Sequence, residues 1–217
     1  MPTLGVAIPC YKPHLGKLVR LLDSLEAQIR KPDHVVVSSS STTVADLPTP
    51  FPSYSFPLTI LVDSRRRKAA ENRNACISVL ECDLVSFVDA DDICHPERLR
   101  LLQIAYEHGA DLIVHDHTRD VEAPWSAVEG TRPEMDVLAR APSGCLVHKH
   151  RFSAMITHGH VSVSRRILSH IRFGTTPEYD RREDASFCAE AIGHCAHTAY
   201  IDAPLTKYDR SGTGGLG

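Results

Sequence analysis

No stretch of this sequence approaches the roughly 18 consecutive apolar residues that cross a bilayer, and its first residues lack a charged-then-apolar secretion signal. A soluble, cytoplasmic protein is the expectation. Positive charge is not in excess either: 24 Lys and Arg stand against 27 Asp and Glu, a formal net charge of −3. That leaves no polybasic field for gripping a nucleic-acid polymer. The seven cysteines form no CxxC pair and no disulfide framework, the usage of a reducing compartment. Aromatic residues are scarce at 6%, so the single tryptophan, Trp125, stands out as a stacking surface or as a partly buried structural residue.

What is present is the composition of an ordinary globular protein, 42% hydrophobic and 24% charged over 217 residues. That length fits one domain with a sizeable core, and residues 1–217 are read as one unit. Leu4 to Pro9 is a short apolar run, and Leu15, Leu18, Leu22 and Leu25 follow at helical spacing. Val35 to Val37 and Leu58 to Val62 are further strands, separated by a loop from Ser39 to Pro57 whose prolines at 48, 50, 52 and 57 exclude a regular element. Lys68 to Leu80 reads as a helix, Leu84 to Val88 as a buried strand, Pro96 to His108 as a helix and Leu112 to Val114 as a strand. This alternation predicts a doubly wound, Rossmann-like α/β fold with a mostly parallel central sheet and helices on both faces. Such sheets bind ligands beyond the carboxyl ends of their strands. Further on, Trp125 to Pro142 is loop-like, Cys145 to His148 and Val161 to Val163 read as strands, and Asp184 to Ile192 as a short helix. The glycines of Ser211 to Gly217 predict a flexible tail.

The strand at Leu84 to Val88 runs directly into Asp89, Ala90, Asp91 and Asp92, and alternation puts Asp89 and Asp91 on one side. Carboxylates this close repel unless a proton or cation intervenes, and hard cations such as Mg²⁺ or Mn²⁺ take oxygen ligands while leaving positions open for phosphate. Asp91 and Asp92 also suit the N-terminal cap of the helix that follows. Arg65, Arg66, Arg67, Lys68 and Arg73 form a basic cluster suited to a small anion or to a solvated face.

Three motifs in order, VAIPCY at Val6 to Tyr11, ENRNA at Glu71 to Ala75 and VSFVDADD at Val85 to Asp92 followed by Pro96, resemble the family-2 glycosyltransferases of GT-A fold. The resemblance covers residues 4 to about 115 well and the remainder loosely. It implies an inverting, DxD-containing enzyme that moves a sugar from a nucleotide-diphosphate donor, UDP-linked by expectation, to a glycan, glycoprotein or glycolipid hydroxyl with Mn²⁺ or Mg²⁺. Residues 1–115 would form the donor half and 116–210 the acceptor half. Asp91 would bind the metal, Asp89 the ribose or a metal-bound water, and Arg73 the nucleotide, with Pro9 to Tyr11 lying against base and ribose. The family commonly reads the base with an acidic residue after the second strand. Here Ser38 to Ser41 stand in that place, so Ser38 is the candidate contact and Asp63 a substitute.

An inverting displacement needs a general base on the acceptor side. Glu183-Asp184 resembles the family's ED motif, which implies Asp184 as base and Glu183 as an orienting group, although two carboxylates also suit a helix start. Tyr208-Asp209-Arg210 fits the family's C-terminal pattern loosely, with Arg210 or Lys207 facing the leaving diphosphate. Alternating histidines at 115/117, 148/150 and 158/160 are compatible with zinc ligation or with surface and acceptor-pocket positions. Two rival readings remain: a nucleotidyltransferase, disfavoured because its phosphate loop would be Cys10 to Gly16, with Gly16 as the only glycine there, and a catalytically inactive nucleotide-sugar-binding module. A haloacid-dehalogenase-type phosphatase would place its aspartates after the first strand.

Overall fold

The computed structural model describes residues 1–141, 146–156, 160–179 and 182–209. Arg210, the tail from 211 to 217, Cys145 and His158 lie outside the described residues.

Seven of the eight residues of β1 (Leu4–Tyr11) are buried, as an interior strand requires. It lies between β2 (His34–Ser40) and β4 (Leu84–Phe87), parallel to both, and β3 (Leu58–Asp63) continues the sheet beyond β2. Pro9 is tolerated inside β1 because the β1–β4 pairing ends at Ala7 with Phe87, so no ladder donor is needed on that side. On the far side of β4, β11 (Val161–Ser164) is inserted antiparallel between β4 and β6 (Leu112–Thr118). The order is completed by β12 (Thr198–Lys207), parallel to β6, and by β5 (Ile93–Cys94) and β7 (Glu134–Met135), both antiparallel to β12. A small antiparallel sheet, β8 (Leu138–Arg140), β9 (Leu146–His148) and β10 (Arg151–Ile156), stands apart.

Helices cover both faces of the large sheet. One hydrophobic cluster joins α1 (Leu15–Glu26) and α3 (Arg98–Glu107) to the sheet, and the other joins α2 (Ala69–Val79), α4 (Arg165–Leu168) and α5 (Glu183–Ala191). In α1 the heptad-like spacing of Leu18, Leu21, Leu22 and Leu25 puts all four fully inside, each worth about 1.5–3 kcal/mol of burial. No helix among the described residues is long and apolar enough to cross a membrane.

The expected α/β alternation holds through Thr118. Three departures have physical causes. The stretch Trp125 to Pro142, read as loop, holds β7 and β8, which at two and three residues are too short to present a period of two. β12 went unread because its ladder to β6 shifts register around Pro204, which breaks the alternation. The proline-rich connection after β2 contains a 3-10 turn, Val44–Asp46, started by Asp46 accepting from the backbone and hydroxyl of Thr43.

Candidate active site

The carboxyl ends of β1, β2, β4 and β6 open on one edge of the sheet, and the ENRNA segment of α2 lies beneath it. Its register is set at the N-terminus, where the Glu71 carboxylate accepts the backbone N–H of Lys68 at 2.7 Å. Asn72, fully buried, donates to the Cys10 carbonyl (3.1 Å) and the Ser40 hydroxyl (3.0 Å) and accepts from the Ser38 hydroxyl (3.0 Å). It thereby ties the ends of β1 and β2 together. Ser38, the candidate base contact, is itself buried and has its hydroxyl committed to Asn72.

Arg73 follows on the same buried face. Its Nη2 lies 2.8 Å from Asp89 Oδ1, and its Nη1 lies 2.6 Å from Asp184 Oδ1 and 3.7 Å from Glu183 Oε1. One guanidinium therefore holds a carboxylate from the acidic turn and two from the start of α5. Burial disfavours its charge, but Asp184, Asp89 and Glu183 outweigh that and raise its pKa above the ordinary arginine value. Around Glu183, burial and then the Asp184 charge push the pKa up, against Arg73.

The acidic turn is a place of unbalanced negative charge. Burial and Asp89 raise the pKa of Asp91, opposed by His14, whose Nε2 is 3.6 Å from Asp91 Oδ2. Asp92 is wholly buried and raised well above the normal range by burial, Asp89 and Asp91. Its Oδ1 accepts the backbone N–H of Asp209 at 3.3 Å, while its Oδ2 accepts no hydrogen bond among the described residues. Asp209 is held in turn by Arg20 (2.6 Å) and Lys17 (3.2 Å), and Arg20 also donates to the Asp91 carbonyl. These contacts bring the described end of the chain against the acidic turn.

Among the described residues no three His, Cys, Asp or Glu converge as a self-sufficient metal cage. Asp89, Asp91 and Asp92 do supply oxygen donors of the kind that hard divalent cations take, with the Asp89 side chain 30% open and Asp92 wholly buried.

At the end of β1, Tyr11 follows buried Pro9, its ring 4.2 Å from that of His14. Tyr11, His14 and Asp91 thus form a continuous wall. Asp63, the substitute base reader, is gripped by Arg65 (2.9 Å) and Arg67 (2.5 Å), with the Arg65 side-chain bonds chiefly responsible for lowering its pKa to about 2. The basic cluster of the sequence is thus divided: Arg65 and Arg67 serve Asp63, while Arg73 points into the site.

Two features went unforeseen. Arg98 is completely buried, donating to Ser86 Oγ and the Phe87 carbonyl of β4, Thr206 Oγ1 of β12 and Cys94 Sγ of β5. It braces both limbs of the acidic turn from below. Its charge adds to complete burial in driving the pKa of His115 well below the normal value. The rings of His115 and His117 lie 5.6 and 5.3 Å from His160, and Tyr208 stands across from His117 and His160. His160 Nδ1 is 4.0 Å from Asp92 Oδ2. Lys207, by contrast, is turned onto the Val121 and Ala123 carbonyls and the Trp125 ring, which itself meets His95 edge-on. Both Lys207 and Trp125 are engaged in pinning the 121–125 loop.

With this geometry in view, the profile of Glycosyl transferase family 2 matches residues 5–171. Among solved structures, S. aureus TarS 1-349 in complex with UDP-GlcNAc is similar at a TM-score of 0.73 and 18% identity, over 99% of this chain and 60% of that one. TarS 1-349 alone gives 0.72 at 19% identity, over 95% of this chain and 60% of the other. The mannosyltransferase PcManGT from Pyrobaculum calidifontis, in complex with GDP-Man and Mn²⁺, gives 0.56 at 16%, over 94% and 55%. These likenesses identify the fold as GT-A, and the chain spans about three-fifths of the length of the structures it matches. No curated protein sequence matches the chain.

Proposed function

We propose that this chain, which belongs to glycosyl transferase family 2, transfers a sugar with inversion from a nucleotide-diphosphate donor, UDP-linked, to an acceptor hydroxyl. The observation that carries the reading is the shared guanidinium of Arg73, with Asp89 on one arm and Asp184 on the other. In this reading Asp89 serves the donor side and Asp184 the acceptor side, and one guanidinium keeps the two carboxylates near each other.

In the displacement, Asp184 accepts the proton of the acceptor hydroxyl as its oxygen bonds to the anomeric carbon. The bond from that carbon to the phosphate oxygen breaks, and its electron pair departs with the nucleoside diphosphate. Glu183 orients the acceptor. Asp91, with Asp89, would hold a divalent cation, which supplies charge neutralisation to the diphosphate when bound. Pro9, Tyr11 and the Ser38–Asn72 network shape the nucleotide side, and Arg210 is assigned to the diphosphate. Residues 1–115 serve the donor and 116–210 the acceptor, with Arg210 reaching back to the diphosphate. TarS and PcManGT, solved with UDP-GlcNAc and with GDP-Man and Mn²⁺, support a nucleotide-sugar donor and a metal. Six described cysteines are free thiols, in keeping with a cytoplasmic setting.

The test is a panel of UDP- and GDP-sugars with Mn²⁺ and a set of glycan, glycoprotein and glycolipid acceptors, read by nucleoside-diphosphate release and by NMR of the product's anomeric configuration. Inversion supports the reading. Retention excludes the single displacement, and donor binding without any release describes a binding module instead.

A further inference from the structure

The helix α5 carries Glu183 and Asp184 but is only nine residues long, and before it the chain has no regular element between α4 and the 3-10 turn Pro177–Tyr179. A helix this short has no independent stiffness. Its position must come from tertiary contacts. Arg73 supplies one, but an ion pair tolerates changes of distance and angle. A more directional contact lies next to it in the sequence.

Asn74 makes a two-point clasp on the backbone of Phe173, 99 positions away: its Nδ2 donates to the Phe173 carbonyl at 2.9 Å and its Oδ1 accepts the Phe173 N–H at 3.0 Å. The amide thus satisfies both backbone groups of one residue, as a neighbouring strand would. The Phe173 ring is stacked on Phe187 of α5, centroids 3.9 Å apart and planes 6° from parallel. It also meets Phe87, the last residue of β4, edge-on at 5.0 Å, and the Arg73 guanidinium sits 5.3 Å from its centroid. Phe173 therefore touches α5, the strand that delivers Asp89, and the arginine that holds both carboxylates.

We propose that Asn74 is a positioning residue of the reaction: by clasping Phe173 it fixes α5, and with it Asp184, relative to the acidic turn. The kinetic consequence rests on the glycosyl-transfer reading, whereas the structural one does not. Two adjacent residues of α2 then divide the task, Arg73 drawing Asp184 in by charge and Asn74 setting where α5 stands. A misplacement near 1 Å costs a reaction about 100-fold, so the loss of the clasp should lower kcat by about 10- to 100-fold.

The test compares Asn74→Ala with Ser78→Ala, a control at the exposed residue one turn on, whose hydroxyl donates to the Asn74 backbone carbonyl and not to its amide. Hydrogen–deuterium exchange should quicken at residues 183–191 in Asn74→Ala while α2 and β1 keep their protection. The Kd and KM for a UDP-sugar in Mn²⁺ should stay unchanged as kcat falls. Asn74→Asp keeps the acceptor for the Phe173 N–H but sets a carboxylate oxygen against the Phe173 carbonyl, so it should shift both readouts in the same direction. It replaces the alanine variant if that one does not fold. Unaltered exchange in α5, or a loss expressed only in donor KM, overturns the proposal. If the wild type releases nucleoside diphosphate from no donor, the glycosyl-transfer reading fails, and the exchange data alone decide the role of Asn74.

Discussion

Arg73 and Asp184, 111 positions apart, meet at 2.6 Å between Nη1 and Oδ1, with the arginine side chain only 3% exposed. A buried cation that loses its partners, or leaves carboxylates behind, is costly because the uncompensated charge remains inside.

Arg73→Met should therefore lower the free energy of unfolding by about 3 kcal/mol, the low end for a buried pair because the Asp89 side chain is still 30% open to water. Asp184→Asn should cost less in the Arg73→Met background than in the wild type, with a coupling of about 0.5–3 kcal/mol. Urea denaturation of the four proteins measures this. Additive losses would mean that the contact carries no energy of its own.

Arg73 also marks where sequence reading runs out. The aspartates were legible because they follow a buried strand, and the ENRNA segment because of its place before that strand. The direction of Arg73 was legible in principle: it sits three residues after Ala70 and four before Ile77, on the core stripe of α2, and Arg98 likewise precedes Leu101, Leu102 and Ala105. The sequence left Arg73 open between an anion or nucleotide contact and a solvated face, and its spacing on the core stripe removes the solvated face. The Asn74–Phe173 clasp left no trace, since a side-chain amide binding a backbone across 99 positions imposes no pattern on either segment.

Asp91 is raised chiefly by burial and then by Asp89, so protons compete with a metal there more strongly than at an ordinary aspartate. Titration calorimetry with a UDP-sugar, whose diphosphate diester does not titrate in this range, should show tight binding with Mn²⁺ and weak binding with chelator at neutral pH. The gain from Mn²⁺ should shrink as pH falls from neutral, beginning at higher pH than for an ordinary aspartate, and vanish in Asp91→Asn. Equal affinity in manganese and in chelator at neutral pH removes the metal from the site.

His115 provides a separate pH signature. Complete burial, reinforced by Arg98, holds its pKa well below the ordinary 6.5, so the unfolded chain takes up the proton first as pH falls. Its contribution to stability is present above pH 6.5 and is lost on descending from there toward its folded pKa. His115→Asn keeps a donor for the Asp116 carbonyl but does not titrate. Its unfolding free energy should fall less steeply between neutral and mildly acidic pH, by up to about 1.4 kcal/mol per pH unit. Parallel pH profiles for the two proteins would show that His115 takes up its proton equally in the folded and unfolded states.

Asp184→Asn separates binding from chemistry. The amide keeps the size of the carboxylate but cannot take the acceptor's proton, and general-base catalysis is worth about 10²- to 10⁴-fold, so turnover should drop within that range. Donor affinity should hold, because Asp184 meets Arg73 and not Asp91 or the Tyr11–His14 pair, to which the donor is assigned. Single-turnover transfer and donor titration on the same preparation measure the two quantities. A wild-type transfer rate with normal donor binding would leave Asp184 as an ion-pair partner of Arg73, and Glu183, whose pKa is raised by burial and by Asp184, would be the next base to test.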